Sequence, residues 1–290
     1  GTNTYTGATN VNAGTLLVNS TAGQTFTGVI SGAGALTKAN TGTLTLSGAS
    51  TFTGNMIINA GTVAANLTVN TASPTGTSLG NMTVGGRTIT VNSGATLRFE
   101  QPDAIGEYTY KTPVTLVADG GTITRVNGSF NSLGNITLRN GAHLTSADGQ
   151  NPTVNSFSLN GDITVEGTSG SFIDTSGTTN NAFHLATGVG SGNITFTVAD
   201  TGDTTADLTV SASLRDKTLG GAAGITKAGD GKMVLTAANT YSGATAVNGG
   251  MLMVNNSSGS ATGTGAVSVA SGATLAGTGT ISGAVTITGK

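Results

Sequence analysis

Apolar and polar residues alternate in short runs along the whole chain. Thr43-Leu44-Thr45-Leu46, Ile89-Thr90-Val91 and Val285-Thr286-Ile287 each send every second side chain to one face. Such alternation marks a half-buried strand. Asn-Gly, Ser-Gly and Gly-Gly pairs stand between the runs. They punctuate turns, because glycine accepts positive φ freely and asparagine accepts it better than most residues. No window carries an i, i+3, i+4, i+7 apolar stripe, and glycine and threonine are too frequent for stable helices. The pattern predicts an all-β chain.

The runs recur as units. ITVNSGATLRF begins at Ile89, ITLRNGAHLTS at Ile136 and VSVASGATLAG at Val267. Longer copies are NTYTGATNVNAGTLLVN from Asn3, STFTGNMIINAGTVAAN from Ser50 and NTYSGATAVNGGMLMVN from Asn239. The stretch Ile30–Ser50 aligns without a gap on Leu219–Asn239, and each leads directly into one of these copies. One unit of about 37 residues therefore occurs twice, a period that belongs to repeat architectures. The N-terminal copy is only the second half of the unit, which predicts a piece of a longer chain. An antiparallel sandwich also shows regular turn spacing. Similar strand–turn–strand units stack most simply as coils of a parallel β-solenoid, each touching only its neighbours. At ~20–25 residues per coil the chain makes about a dozen coils and, at the strand spacing, a rod of roughly 60 Å. Val11, Leu16 and Val18, then Ile58 and Val63, then Val247, Leu252 and Val254 are expected to line the interior. Asn12, Asn59 and Asn248 share one repeat position and are expected to form a hydrogen-bonded ladder. The domain expectation is a single continuous solenoid over 1–290. Its repeat units lie at 1–66 and 219–290, around a divergent middle at 67–218.

TKANTGTLTLSGASTFTGNMIINAGTV and TKAGDGKMVLTAANTYSGATAVNGGML resemble the autotransporter-associated β-strand repeat, found in passenger regions of Gram-negative autotransporters and related giant surface proteins. The tail VASGATLAGTGTISGAVTITGK resembles that family's usual exit sequence. The resemblance covers 1–66 and 219–290; between them only the strand–turn texture is similar. It implies a right-handed parallel β-helix, export in unfolded form and display on the cell surface of a Gram-negative bacterium, attached to the outer membrane or released. The chain shows neither the membrane β-barrel nor the protease-type domain of whole autotransporters.

Composition narrows the function. The 290 residues include 47 glycines, 4 prolines and no cysteine, and only 8% are charged, against about 25% in an ordinary globular domain. Thr, Ser, Asn and Gly supply the polar surface instead. The absence of cysteine removes disulfides, thiolate metal sites and cysteine nucleophiles. A net charge of −2 leaves no basic footprint for nucleic acid. No apolar run reaches the roughly 18 residues of a membrane-spanning helix.

Charge is uneven. Residues 1–86 hold one charged side chain, Lys38, whereas 87–125 hold eight. Within the latter, FEQPDAIGEYTYKTPVTL (Phe99–Leu116) breaks the coil pattern and reads as a loop projecting from the rod. Glu100, Asp103, Glu107, Tyr108, Tyr110 and Lys111 are its ligand-binding candidates, since tyrosine beside charge suits recognition. The alternative is an excursion that covers one face or edge of the helix. Asp200, Asp203 and Asp207 form a weak calcium candidate, with neither EF-hand nor G-G-x-G-x-D spacing; solvated turn carboxylates are the plainer reading. No other metal and no cofactor are expected. His143, Ser146 and Asp148 contain the residue types of a hydrolytic triad but are too close along one strand and turn to converge. Arg87, Arg98, Asp119, Arg125 and Arg139 are the residue types of polysaccharide-cleaving β-helices, without a demanding spacing. Thr-x-Thr pairs at Thr43/Thr45, Thr88/Thr90, Thr122/Thr124 and Thr286/Thr288 raise ice binding, but alternation with one wet face produces them equally well.

The expected function is therefore structural and not enzymatic: an extracellular β-helical stalk or fibre segment that gives length and stiffness. Its expected partner is itself, through neighbouring coils or copies joined end to end. The alternative is an adhesin module that binds a host or neighbouring-cell glycan or protein through the 99–116 loop.

Overall fold

A computed structural model describes residues 3, 6–107, 109–126, 128, 130–147, 156–176, 182–185, 192–217 and 221–288. Among these, every regular element is a strand. The strands stack in parallel into a twelve-stranded sheet, an eleven-stranded sheet, a shorter four-stranded one and a two-stranded pair, Thr9–Asn10 with Ile30–Ser31. The chain passes from the first sheet to the second across a tight corner and returns along a third side. This is the all-β parallel solenoid that the repeats predict, and twelve strands in one sheet make the expected dozen coils.

Alternation decides which side chains point inward. In the twelve-stranded sheet, Leu16, Leu36, Met56, Ile89, Leu116, Ile136, Ile163 and Phe196 stand one above another. The facing row of the eleven-stranded sheet runs Leu44, Val63, Leu97, Ile123, Leu144, Ile173, Val210, Leu235 and Val254. Apart from half-buried Leu16, these residues are buried. Stacked coils thus share one continuous core, and each coil covers the apolar ends of its neighbours. The third side adds an aromatic file. Phe99 meets Phe157 edge to face at 5.7 Å, and Phe157 meets Phe183 at 5.9 Å.

The corners use left-handed backbone. Asn40 and Asn140 sit at φ 67° and 58°, a region that asparagine tolerates among residues with a Cβ. Each corner amide also reaches the neighbouring coil. Asn40 Nδ2 donates to Asn19 Oδ1 at 3.0 Å, Asn92 Nδ2 to Asn59 Oδ1 at 2.7 Å, and Asn140 Nδ2 to Asp119 Oδ1 at 2.6 Å. Of Asn12, Asn59 and Asn248, the positions expected to form a ladder, Asn59 is paired in this way, with Asn92 of the next coil.

The first copy of the repeat is placed differently from the others. Thr15–Asn19 corresponds in sequence to Gly61–Ala65 and Met251–Val254, which both lie in the eleven-stranded sheet. Thr15–Asn19 instead pairs with Ala35–Ala39 in the twelve-stranded sheet. A strand with one buried face fits either sheet, so its partner chooses. Val18 is buried, while Val11 and Leu16 are half-buried against the core. Ile58, Val63, Val247, Leu252 and Val254 line the interior as expected.

Coil length varies on the third side. The paired corners Asn19 and Asn40 are 21 residues apart, whereas Asn59 and Asn92 are 33 apart. The extra chain lies between Gly61–Ala65 and Thr88–Asn92. It is secured by Arg87, whose Nε donates to Gly54 O at 2.7 Å and whose Nη2 donates to Leu79 O at 2.5 Å. The guanidinium sits 4.7 Å from the ring centroid of Phe52. Burial pulls the Arg87 pKa down to about 10, so the side chain is still a cation at neutral pH.

Candidate functional site

Between Phe99 and Thr115 the chain leaves the strand ladder but packs back against the solenoid. Val69 N donates to Asp103 O at 3.0 Å and Glu107 N to Thr71 O at 3.0 Å. Asp103 N donates to Phe130 O at 2.8 Å, and Ala104 N to Asn131 Oδ1 at 2.7 Å, which ties the segment to the four-stranded side. Ala104, Ile105 and Val114 are buried. The excursion is thus a covering layer on the third side, the alternative weighed for it, and the freely projecting loop is corrected accordingly. A run with three apolar anchors loses less by lying on the core than by standing in water.

Its candidate residues have separate fates. Glu100 takes Arg98 in an ion pair at 2.5 Å. Asp103 is buried at φ 51°, and desolvation pushes its carboxyl up to about 6 against the opposing pull of Lys217. Lys217 is buried too, and its pKa falls to about 8. Glu107 Oε1 accepts from Thr109 Oγ1 at 2.9 Å. Tyr110 donates its hydroxyl to Met82 O at 3.1 Å, and burial raises its pKa. Lys111 is exposed, and Tyr108 lies outside the described residues. These side chains do not converge on one ligand position.

The aspartates at 200, 203 and 207 are occupied by their own loop and by backbone of the neighbouring coils. Asp200 Oδ1 accepts from Gly202 N at 2.9 Å. Asp203 Oδ1 accepts from Thr205 N at 2.9 Å and its Oδ2 from Gly170 N at 3.3 Å. Donation by Thr205, then Gly170, holds the Asp203 carboxyl down to about 2. Asp207 takes Thr201 N at 2.7 Å and Lys232 N at 2.6 Å. Among the described residues no three His, Asp or Glu side chains are grouped to hold a metal.

The basic residues weighed for polysaccharide cleavage are dispersed. Arg87 and Arg125 are buried; Arg125 Nε donates to Ser146 Oγ at 2.8 Å. Arg98 lies on the eleven-stranded sheet. Arg139 lies on the twelve-stranded one between Asp119, at 3.1 Å, and Glu166, at 3.3 Å. His143 and Ser146 occupy opposite faces of one strand, half-buried and buried respectively, and Asp148 lies outside the described residues. His184 is buried on the third side.

One cluster does converge. On the wet face of the eleven-stranded sheet a single row reads Thr43, Thr62, Thr96, Thr122, His143, Phe172, Thr209. Threonine is the rule of this row as far as Thr209, and within that stretch His143 and Phe172 break it; beyond it the row continues with Val234, Met253 and Ala276. Their rings stack with centroids 4.6 Å apart and planes 17° apart. Asp174 Oδ2 lies 2.6 Å from His143 Nδ1, and Asp174 Oδ1 accepts from Thr145 Oγ1 at 2.5 Å. Phe172 remains 36% exposed and the His143 side chain 43%. Among the described residues Phe172 is the only aromatic among the large exposed hydrophobics. His143, Phe172 and Asp174 lie on two different strands about thirty residues apart, so only their register brings them together.

The family model of the passenger-associated-transport-repeat matches residues 1–18, 36–65 and 225–254. Over 72 residues the chain is 47% identical to a protein of Brucella suis biovar 1 (strain 1330) named adhesin BmaC autotransporter. That stretch is 24% of this chain and 2% of the relative, so the chain corresponds to a small part of that protein's length. No solved structure matches the chain.

Proposed function

The chain carries the passenger-associated transport repeat of autotransporters on a parallel β-solenoid, and from that premise we propose that it serves as a stiff spacer within a cell-surface passenger. The continuous core supports this reading most directly. Twelve paired coils without a break in the twelve-stranded sheet give about 53 Å of rod at the strand spacing. Its work in this reading is length, with no reaction attached to it. Thr and Asn faces with few charges stack with little mutual repulsion.

The test is geometric. The full passenger is displayed on cells with an epitope beyond the segment, and the height of the epitope is measured with and without residues 1–290. A drop of about 50 Å with outer epitopes intact supports the spacer; an unchanged height sinks it.

A second reading, an adhesin module, is favoured by the name of the Brucella relative and by the exposed aromatic cluster. In this reading the contact lies on the sheet face. Loss of cell attachment on substitution at that face, with height unchanged, would favour it over the spacer.

A further inference from the structure

The geometry points to a shallow saccharide subsite on the eleven-stranded sheet, where the exposed face of Phe172 receives a neutral pyranose ring and Asp174 accepts its hydroxyls. His143 covers one face of Phe172. The rings stack from strand to strand, so the other face looks along the solenoid axis over Thr209. Beyond Thr209 come Val234 and then Met253 in the same row. From Phe172 to Met253 is three strand spacings, about 14 Å. Thr209 and buried Val234 form the floor of this notch, and Phe172 is its aromatic wall.

Polar groups flank the wall. Asp174 neighbours Phe172 on the same strand, two residues along. Each of its oxygens accepts one bond, from Thr145 or at His143, and a carboxylate oxygen has capacity for a second. Those two bonds fix its plane before any ligand arrives, which lowers the ordering cost of binding. Ser211 is exposed, and its backbone N–H bonds Ile173 O of the strand that carries Phe172 at 3.0 Å. Thr209 and Ser211 are the nearby hydroxyls.

The chemistry selects among ligand classes. An extended peptide binds to a sheet through a free edge or a row of pockets, and this strand is paired on both sides. An anionic polymer requires cationic excess, whereas the group here is a carboxylate beside a histidine. A neutral pyranose has an apolar C–H face for Phe172 and vicinal hydroxyls for a pinned carboxylate. This assignment is independent of the spacer reading, since a spacer with or without a subsite has the same length.

The test is saturation-transfer NMR on the full 290-residue chain. The probes are methyl glycosides of galactose, glucose, mannose and N-acetylglucosamine. We expect transfer from at least one, with millimolar affinity and ring protons saturated most. Phe172→Thr restores the threonine of the row and should weaken binding about tenfold; Asp174→Asn should weaken it without changing the circular dichroism. Thr209→Arg fills the notch from its floor and leaves the stacked pair intact, so it decides the matter if Phe172→Thr misfolds. No transfer from any of the four glycosides, or equal transfer to wild type and Thr209→Arg, overturns the subsite. The epitope-height measurement is blind to these variants, so the two ideas fail separately.

Discussion

Two lysines illustrate how single residues hold this fold. Lys38 and Lys227 occupy the same place in the two TKA stretches, at inward positions near strand ends, and both are buried. Lys38 Nζ donates to Ala39 O at 2.7 Å, Asn40 O at 2.6 Å and Ala60 O at 3.3 Å. Lys227 repeats the set with Ala228 O at 3.0 Å, Gly229 O at 2.8 Å and Gly249 O at 3.1 Å. An ammonium group has three donors and no acceptor, so each lysine satisfies corner carbonyls of two successive coils. Lys227→Met should cost ~1–3 kcal/mol in urea unfolding, because those carbonyls are then left dry. Asp103 makes the opposite case. Its folded pKa, about 6, lies above the 3.8 usual for an aspartate, so the folded state holds the proton more tightly than the unfolded chain. Its contribution to stability is therefore greatest below the unfolded value and is lost as pH rises through about 6. The facing ionisable groups are Glu107 and Lys217. Wild type should gain urea resistance between pH 7.5 and pH 5 relative to Asp103→Asn, and an identical pH response in the two would refute the account. Asparagine keeps the shape and tolerates the left-handed φ of 51°. The lysine was visible in the sequence as the lone charge before residue 87, but its role was not, since nothing in a linear pattern says that a strand's last inward position meets a corner.

At the scale of elements, alternation carried most of the information. The strands Ala35–Ala39, Thr88–Asn92 and Thr115–Asp119 all show the half-buried, buried alternation that their threonines and aliphatics predict. The third side was less legible. Asn131–Leu133, Phe157–Leu159 and Ala182–Leu185 are buried at every position, so they lack the period of two. The direction of the chain between Phe99 and Thr115 came from contacts with residues 69–82 and 130–131, which a linear pattern does not reveal. Phe157 lies between two other rings in this region. Phe157→Ala should cost ~3–5 kcal/mol in equilibrium unfolding. A loss well below that would mean the third side contributes little to the core.

The whole molecule behaves as a one-dimensional stack, in which stability is a sum over coils and their interfaces. Leu36 pairs with Met56, so removing residues 36–55 deletes one full coil and brings Met56 into the place of Leu36. That variant should retain far-ultraviolet circular dichroism and a cooperative melt. Removal of 36–45 shifts the remaining strands out of phase and should abolish the melt. Equal outcomes for the two deletions would contradict the solenoid. Hydrogen exchange on the isolated 290-residue chain should be slowest in the central coils and fastest at Val285–Ile287, whose side chains are exposed.

The sequence by itself determined the class of structure, the approximate number of coils and the family resemblance, because each rests on a local period that recurs. The tertiary structure alone decided register, and register decides what meets what. Coils of 21 and 33 residues stack in one sheet because surplus chain is absorbed on the third side, so spacing along the chain does not reveal which side chains are neighbours. For the same reason His143, which a linear reading groups with Ser146 and Asp148, meets Phe172 and Asp174 instead and forms with them a polar–aromatic cluster on the wet face, while the charged run at 99–116 folds back onto the rod.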